Sequence, residues 1–274
     1  MLFALPFPNI DPVALELGPL VVRWYALAYL AGFLSGWRYC MMLAAQTPGP
    51  PRPEDFDDFL TWGVLGVILG GRTGYVLFYQ PDYYFANPLE ALKLWHGGMS
   101  FHGGFTGMIV AVLLFSRSRG FSPLAFGDLL ACASPLGLFF GRIANFINGE
   151  LFGRVTDVSW AVVFPRGGPL PRHPSQLYES ALEGVVLFIV INLLARVSSI
   201  RNRPGILVGI FFIGYGLARC IVEFFREPDA QLGFLFAGAT MGQLLSLPMI
   251  AIGVGFIFYA QRSAQRSASR SAPR

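Results

Sequence analysis

Four arginines, Arg23, Arg72, Arg142 and Arg219, stand inside long apolar runs of this 274-residue chain. A charge buried in an apolar helix is costly and marks a functional position by default. Arginine also presents a planar fork of donors that matches phosphate or carboxylate in a bidentate way. Tyr215, Arg219 and Glu223 are successive i, i+4 neighbours and so share one helix face. Arg142 and Asn145 are i, i+3, and Asn148-Gly-Glu150 follows directly. Two arginines with amides and carboxylates beside them suit a phosphodiester headgroup.

Plainer roles compete for each. Arg219 has Glu223 as a structural counter-ion, and Arg142 has Glu150 or Glu179. Arg23 is near enough to a span end to snorkel to water. Arg72 lies in Leu69-Gly-Gly-Arg-Thr-Gly-Tyr75, where glycines allow close helix approach, and it has Asp128 as a packing partner. It ranks below Arg142 and Arg219.

The remaining inventory narrows the chemistry. His96, His102 and His173 are the only histidines, with no HExxH spacing, and the three cysteines (Cys40, Cys132, Cys220) lie far apart in apolar stretches. Neither a metal site nor a disulfide framework is expected. Gly98-Met-Ser-Phe-His102 lacks the second glycine of a nucleophile elbow, so Ser100 is a poor nucleophile candidate. His102 is surrounded by Gly97, Gly98, Gly103, Gly104 and Gly107, which leave room for a ligand or a second backbone. At a water boundary its imidazole can accept a proton near neutral pH; the alternative is a histidine that only hydrogen-bonds a neighbouring carbonyl. There is no phosphate loop of the Walker type and no dinucleotide fingerprint, so no cofactor is expected.

The elements that carry these residues are membrane helices. The chain is 54% hydrophobic and 13% charged, against about 25% charged in an average soluble domain, with a mean hydropathy of +0.54. The fold class expected is an all-α polytopic membrane protein with about seven transmembrane helices and a small extracytoplasmic cap. A span needs about 20 mostly apolar residues, which places helices near 21–43, 60–79, 96–115, 125–147, 177–194, 205–225 and 235–259. The third is the least regular, because it opens on glycine and histidine. Residues 1–260 read as one catalytic membrane domain with the cap at 148–175, and residues 261–274 as a basic disordered tail. Met1–Leu20 contains Asp11, Glu16 and several prolines and no basic start, so no cleavable signal peptide is expected.

Orientation follows the basic residues. With the C-terminus in the cytoplasm, that side collects Arg38, Arg52, Arg117, Arg119, Arg196, Arg201, Arg203, Arg262, Arg266, Arg270 and Arg274. The other side holds only Lys93, Arg154, Arg166, Arg172 and Arg226. The N-terminus and the cap are then periplasmic and the protein is a multi-pass component of the cell inner membrane. Arg142 falls roughly 8 Å inside the outer end of its span at 1.5 Å per residue. Arg219, His102, Tyr25 and the His173–Glu179 segment sit at about the same level, whereas the inner half carries little comparable.

At this point the motifs become familiar. Gly141-Arg-Ile-Ala-Asn-Phe-Ile-Asn-Gly-Glu-Leu-Phe-Gly-Arg154 closely resembles the signature of bacterial prolipoprotein diacylglyceryl transferase. So do Met99-Ser-Phe-His-Gly-Gly104, Arg172-His-Pro-Ser-Gln-Leu-Tyr-Glu179, Tyr215-Gly-x-x-Arg219 and Glu223-Phe-Phe-Arg-Glu-Pro-Asp229, and Gly70–Tyr79 is similar to the family's second span. Phe105 and Phe152 stand where leucine and tryptophan are common, apolar exchanges that leave the chemistry intact. The resemblance implies transfer of the diacylglyceryl group from phosphatidylglycerol to the lipobox cysteine of a prolipoprotein signal peptide. A thioether forms, glycerol phosphate leaves, and no nucleic acid takes part. It implies that Arg142 and Arg219 are essential for handling the lipid and that His102, Tyr25, Asn145, Glu150, Gly153 and Tyr215 are site positions. Combining both arguments, His102 is the base, Arg142 and Arg219 stabilise the departing phosphate, and Tyr25, Tyr215, Asn145 and Glu150 position the headgroup. Glu223 orients Arg219, and Arg72 is a further substrate-binding candidate. Two other classes compete, an anion or lipid transporter and a non-catalytic lipid-binding scaffold. A transporter should carry polar residues through the whole membrane depth, often in repeated halves, and a scaffold has no use for His102.

Overall fold

The computed structural model describes residues 5–8, 10–18, 20–228, 233–235 and 238–271. The strands are β1 (Leu5–Pro6), β2 (Val13–Leu17), β3 (Leu20–Arg23) and β4 (Val162–Val163). The helices are α1 (Trp24–Ala45), α2 (Pro53–Phe78), α3 (Pro81–Ala86), α4 (Phe101–Arg119), α5 (Pro123–Ile147), α6 (Ser175–Glu179), α7 (Leu187–Ala195), α8 (Ser198–Arg201), α9 (Ile206–Val222) and α10 (Met241–Ser271). A π-helical stretch, Ser180–Val186, joins α6 to α7 without interruption.

The protein is mostly helical. Among the described residues, four helical stretches are long and apolar enough to cross a membrane: Pro53–Phe78, Pro123–Ile147, Ser175–Ala195 and Met241–Arg266. Ile206–Val222 is apolar but shorter. Helices α1 and α4 occupy the first and third expected positions. Large apolar side chains such as Leu69, Phe78, Leu193 and Phe258 are more than half exposed, as lipid-facing residues would be.

Boundaries differ from expectation in three places. The third helix starts at Phe101 rather than His96. Gly97 and Gly98 have φ of 79° and 82°, which no helix accommodates, and Leu94–His96 forms only a 3₁₀ turn. The last helix starts at Met241 rather than Leu235. At the other end it continues through Gln261–Ser271, where a disordered tail was expected, because Ala, Gln and Arg all favour helix. The rest of that tail, from residue 272, and Asp229 of the fourth motif block lie outside the described residues.

Within the single domain expected over residues 1–260, packing separates two compact units: Met1–Tyr39 with Asp128–Arg274, and Cys40–Gly127. In the second, α2 and α4 pack at backbone distance. A Cβ on Gly70 would lie 2.8 Å from Gly107 Cα, and one on Gly66 would lie 2.6 Å from Gly107 O. Phe56, Phe59, Phe115, Phe121 and Phe126 fill the end of this unit, with Phe56 stacked on Phe126 at 4.6 Å. In the first unit, α9 and α10 approach at Gly209 and Gly253, each of which faces the other's carbonyl. Asp128 accepts the Gly205 and Val208 amides at 2.8 Å each, closing the N-terminus of α9. Asp128 is therefore a helix cap. β1 pairs in parallel with β4, Leu5 opposite Val162, so the first described residues are tied to the segment after α5.

Candidate functional site

Helix α5 ends at Ile147, and the chain turns back at once. Gly149 and Leu151 both adopt left-handed backbone, with φ of 63° and 57°. For leucine that conformation is strained and persists only when its surroundings hold it. The holders are Ser175 and Gln176, the first residues of α6: Ser175 Oγ donates to Leu151 O at 3.0 Å and Gln176 Nε2 donates to Glu150 O at 2.6 Å. The turn folds Glu150 over the last turn of α5. There its Oε1 accepts from Asn145 Nδ2 at 2.9 Å and Asn148 Nδ2 at 3.3 Å.

The segment after this turn is a backbone crossing without room for side chains. Gly153 N donates to His173 O, Arg154 N to Phe225 O and His173 N to Arg154 O. A Cβ on Gly153 would lie 2.5 Å from Phe225 O and 2.6 Å from His173 Cβ, so only glycine fits. Arg154 then spans to the end of α9, donating from Nε to Arg226 O and from Nη2 to Glu223 O. His173, whose pKa burial lowers, faces Tyr178 Oη at 3.2 Å, and Trp160 donates to the same oxygen at 2.6 Å.

Behind this crossing lies an ion cluster. Glu179 is fully buried at the end of α6, and three guanidiniums converge on it. Arg219 Nη1 is 2.9 Å and Arg226 Nη1 3.3 Å from Oε1, while Arg142 Nε stands 2.6 Å from Oε2 at an angle too poor for a hydrogen bond. Glu183, one turn on and equally buried, is 3.4 Å from Arg142 Nη2, and its Oε1 has no hydrogen-bond partner. Glu223 Oε1 takes Arg219 Nη2 at 2.5 Å, the i, i+4 pair read from the sequence. Tyr215 lies within electrostatic range of Arg142, Arg219, Glu179 and Glu183, and Tyr25 within range of Arg142 and Glu150. Tyr25 Oη also meets Tyr29 Oη at 3.2 Å.

The π-helical stretch explains how two carboxylates reach one arginine. Gly184 packs against Phe139 so closely that a Cβ would lie 2.9 Å from Phe139 Cα. Phe139 is three residues before Arg142, so this contact draws Glu183 towards the Arg142 side chain. Such single π turns are rare and occur frequently at functional sites. The arginine side chains keep 18% and 14% exposure while Glu179 and Glu183 keep none. The carboxylates therefore form a buried base, and the guanidiniums retain unshared N–H groups on their open side. Arg142 Nη1 and Arg219 Nε have no protein partner among the described contacts. Two such forks are chemically suited to an anionic oxygen group.

Against this geometry the comparisons are decisive. The prolipoprotein diacylglyceryl transferase family matches residues 12–259. The chain belongs to that family. It is 69% identical over 264 residues to the phosphatidylglycerol–prolipoprotein diacylglyceryl transferase of Azospirillum brasilense, covering 95% of this chain and 98% of the relative. The proteins of the same name from Paramagnetospirillum magneticum and Rhodospirillum centenum are 60% and 61% identical. They cover 96% and 93% of this chain and 98% and 94% of themselves.

In this family member, then, the first unit brings together Arg142, Arg219, Glu223, Tyr215, Asn145, Glu150 and Tyr25. Gly153 joins them by making the backbone crossing possible. Arg72 departs from the substrate-binding part expected of it. It is buried in the second unit, and its guanidinium donates to the carbonyls of Ala91, Gly97, Gly98, Glu90 and Lys93, with Tyr84 stacked at 5.1 Å. With five N–H donors and five acceptors it has none left for a ligand; it clamps the loop before α4. Ser100 caps α4, accepting from Gly103 N at 3.2 Å. His102 is exposed in the first turn of α4, on a cavity of about 680 Å³ between α2 and α4, lined by Leu69, Thr73, Leu77, Thr106 and Val110 among others. Glu179, Glu183 and Arg226 are the site residues that the sequence reading did not assign a role.

Proposed function

We propose that this chain transfers the sn-1,2-diacylglyceryl group of phosphatidylglycerol to the lipobox cysteine thiol of prolipoproteins, releasing glycerol phosphate. The observation that carries the reading is the pair of half-open guanidiniums, Arg142 and Arg219, fixed on one buried carboxylate in a member of this family. Attack by sulfur on the glyceryl carbon breaks its bond to the phosphate oxygen. Negative charge then gathers on the departing phosphate, and preorganised donors aimed at that charge lower the barrier most. Arg142 and Arg219 supply those donors. Tyr25, Tyr215, Asn145 and Glu150 shape the headgroup pocket, and Glu223 orients Arg219. The thiol must become thiolate to attack, and His102 takes its proton.

The same reading has seven spans, α1, α2, α4, α5, α6 with α7, α9 and α10, in the inner membrane, with a cytoplasmic C-terminus and a periplasmic 148–175 cap. Two features support it. The basic residues favour that orientation, and the β1–β4 pair requires an even number of crossings between Pro6 and Val162, as α1, α2, α4 and α5 provide.

Reconstitution tests the function. Purified protein receives radiolabelled phosphatidylglycerol and a peptide with a signal helix and lipobox cysteine. Label from the glyceryl and acyl parts is expected to move to the peptide, and a serine in place of the peptide cysteine to block it. Phosphatidylethanolamine should not serve, because two arginines around one phosphodiester leave no partner for its ammonium group. Arg142→Lys and Arg219→Lys keep the charge and lose the fork, and each is expected to lower the rate about 10²–10³-fold. Lipid binding by folded protein with no label on the peptide would leave a transporter or scaffold and sink the enzymatic reading.

A further inference from the structure

The charges facing Glu183 are already balanced before any substrate arrives. Arg142, Arg219 and Arg226 stand against Glu179, Glu183 and Glu223. At the edge of the cluster Arg154 holds the Glu223 and Arg226 carbonyls, and Glu150 accepts from Asn145 and Asn148. Arg172 is paired with Glu227 at 3.0 Å. Tyr215 from α9 is the other ionisable group in electrostatic range of Glu183. Among the described residues, this set is neutral when every carboxylate is ionised.

A phosphodiester adds one negative charge to it. An uncompensated charge in so buried a place is strongly unfavourable, and the usual relief is a change of protonation. The three buried carboxylates are not equal candidates. Glu179 is gripped by three guanidiniums, and Glu223 holds Arg219 at 2.5 Å. Glu183 has a single contact of 3.4 Å, and its Oε1, sealed from water, meets no hydrogen-bond donor. It loses least on becoming neutral.

We propose that Glu183 takes up one proton from water as the anionic headgroup settles on Arg142 and Arg219, so that lipid and cluster together stay neutral. The proton is released when glycerol phosphate leaves. This rests on the reading of phosphatidylglycerol as the donor lipid, and makes Glu183 a substrate-binding group that acts through its charge.

Equilibrium binding of phosphatidylglycerol to the purified protein, without peptide, isolates the step from thiol chemistry. The phosphodiester keeps its charge from about pH 6 to about 9, so any pH dependence belongs to the protein. Wild-type affinity is expected to weaken as pH rises, approaching tenfold per unit where one proton is taken up. Glu183→Gln has the shape of the protonated form and is expected to bind with a flat profile. Titration calorimetry on the wild type in two buffers of different ionisation enthalpy should show about one proton taken up per lipid at the alkaline end. Lipid binding with no pH dependence and no proton uptake overturns the proposal while leaving the donor reading intact. So does a slope that persists in Glu183→Gln, or one that disappears instead in His102→Gln. No lipid binding at any pH overturns both.

Discussion

A carboxylate shut away from water among three guanidiniums is held in a geometry that no neighbouring side chain can substitute. Glu179 fixes Arg142, Arg219 and Arg226 at once, so shortening it by one methylene should move both lipid-handling forks without changing the charge. Glu179→Asp is expected to lower the maximal transfer rate about 10²-fold, the usual cost of misplacing reacting groups by about an ångström. Thermal unfolding in detergent would show the variant folded; unchanged turnover would mean that the arginines orient themselves. His102 calls for a different substitution. Gln keeps much of the size and cannot take a proton, so His102→Gln should lose about 10²–10⁴-fold in rate near neutral pH, less as pH rises and the thiol ionises unaided. Parent-like activity at neutral pH would leave His102 a structural role. The arginines were legible because a charge in an apolar run is conspicuous, and the Arg219–Glu223 pair because i, i+4 is a helix neighbour. Glu183 was just as conspicuous by the same rule, since Glu179 and Glu183 are themselves i, i+4 within an apolar span. Arg226 read as a loop residue, because nothing in its local sequence says that the chain returns to bury it on Glu179.

At the scale of elements, glycine decides how closely helices pack. The α2–α4 contact has Gly66, Gly70 and Gly74 facing Gly103 and Gly107, and a methyl group on Gly107 would run into the Gly66 carbonyl. Gly107→Ala is expected to destabilise the protein by about 1–3 kcal/mol, the range for overpacking. Gly255→Ala, with open space at its Cβ, should be neutral or slightly stabilising. Unfolding curves of the two variants in one detergent make the comparison, and equal stability would show that α2 and α4 can separate at little cost. Apolar runs marked the helices, because burial in lipid dictates length and composition together. Their ends were less visible. Where the third helix begins depends on the positive φ of Gly97 and Gly98 and on Arg72, which gathers five carbonyls of the preceding loop. Neither has a periodic signature. The π-helical stretch was illegible for a related reason: it arises from the Gly184–Phe139 contact between helices.

For the whole molecule, the topology has a direct chemical test. In a background lacking Cys40, Cys132 and Cys220, Gly168→Cys is expected to react with a membrane-impermeant thiol reagent on intact cells, and Ser269→Cys only after permeabilisation. The reverse pattern would invert the orientation and the depth argument with it. The pairing of Leu5 with Val162 adds a matter of timing. Ribosomes add about 5–20 residues per second, so roughly ten to thirty seconds separate emergence of the first strand from that of its partner. During that interval four helices must enter the bilayer while the N-terminal strand has nothing to pair with. The turn carrying Glu150 is made just before the partner strand, and Ser175 and Gln176, which hold that turn, follow shortly after it. The ends of the interval thus coincide with completion of the site: a nascent chain cannot close its first strand pair much before the residues that secure its chemistry exist.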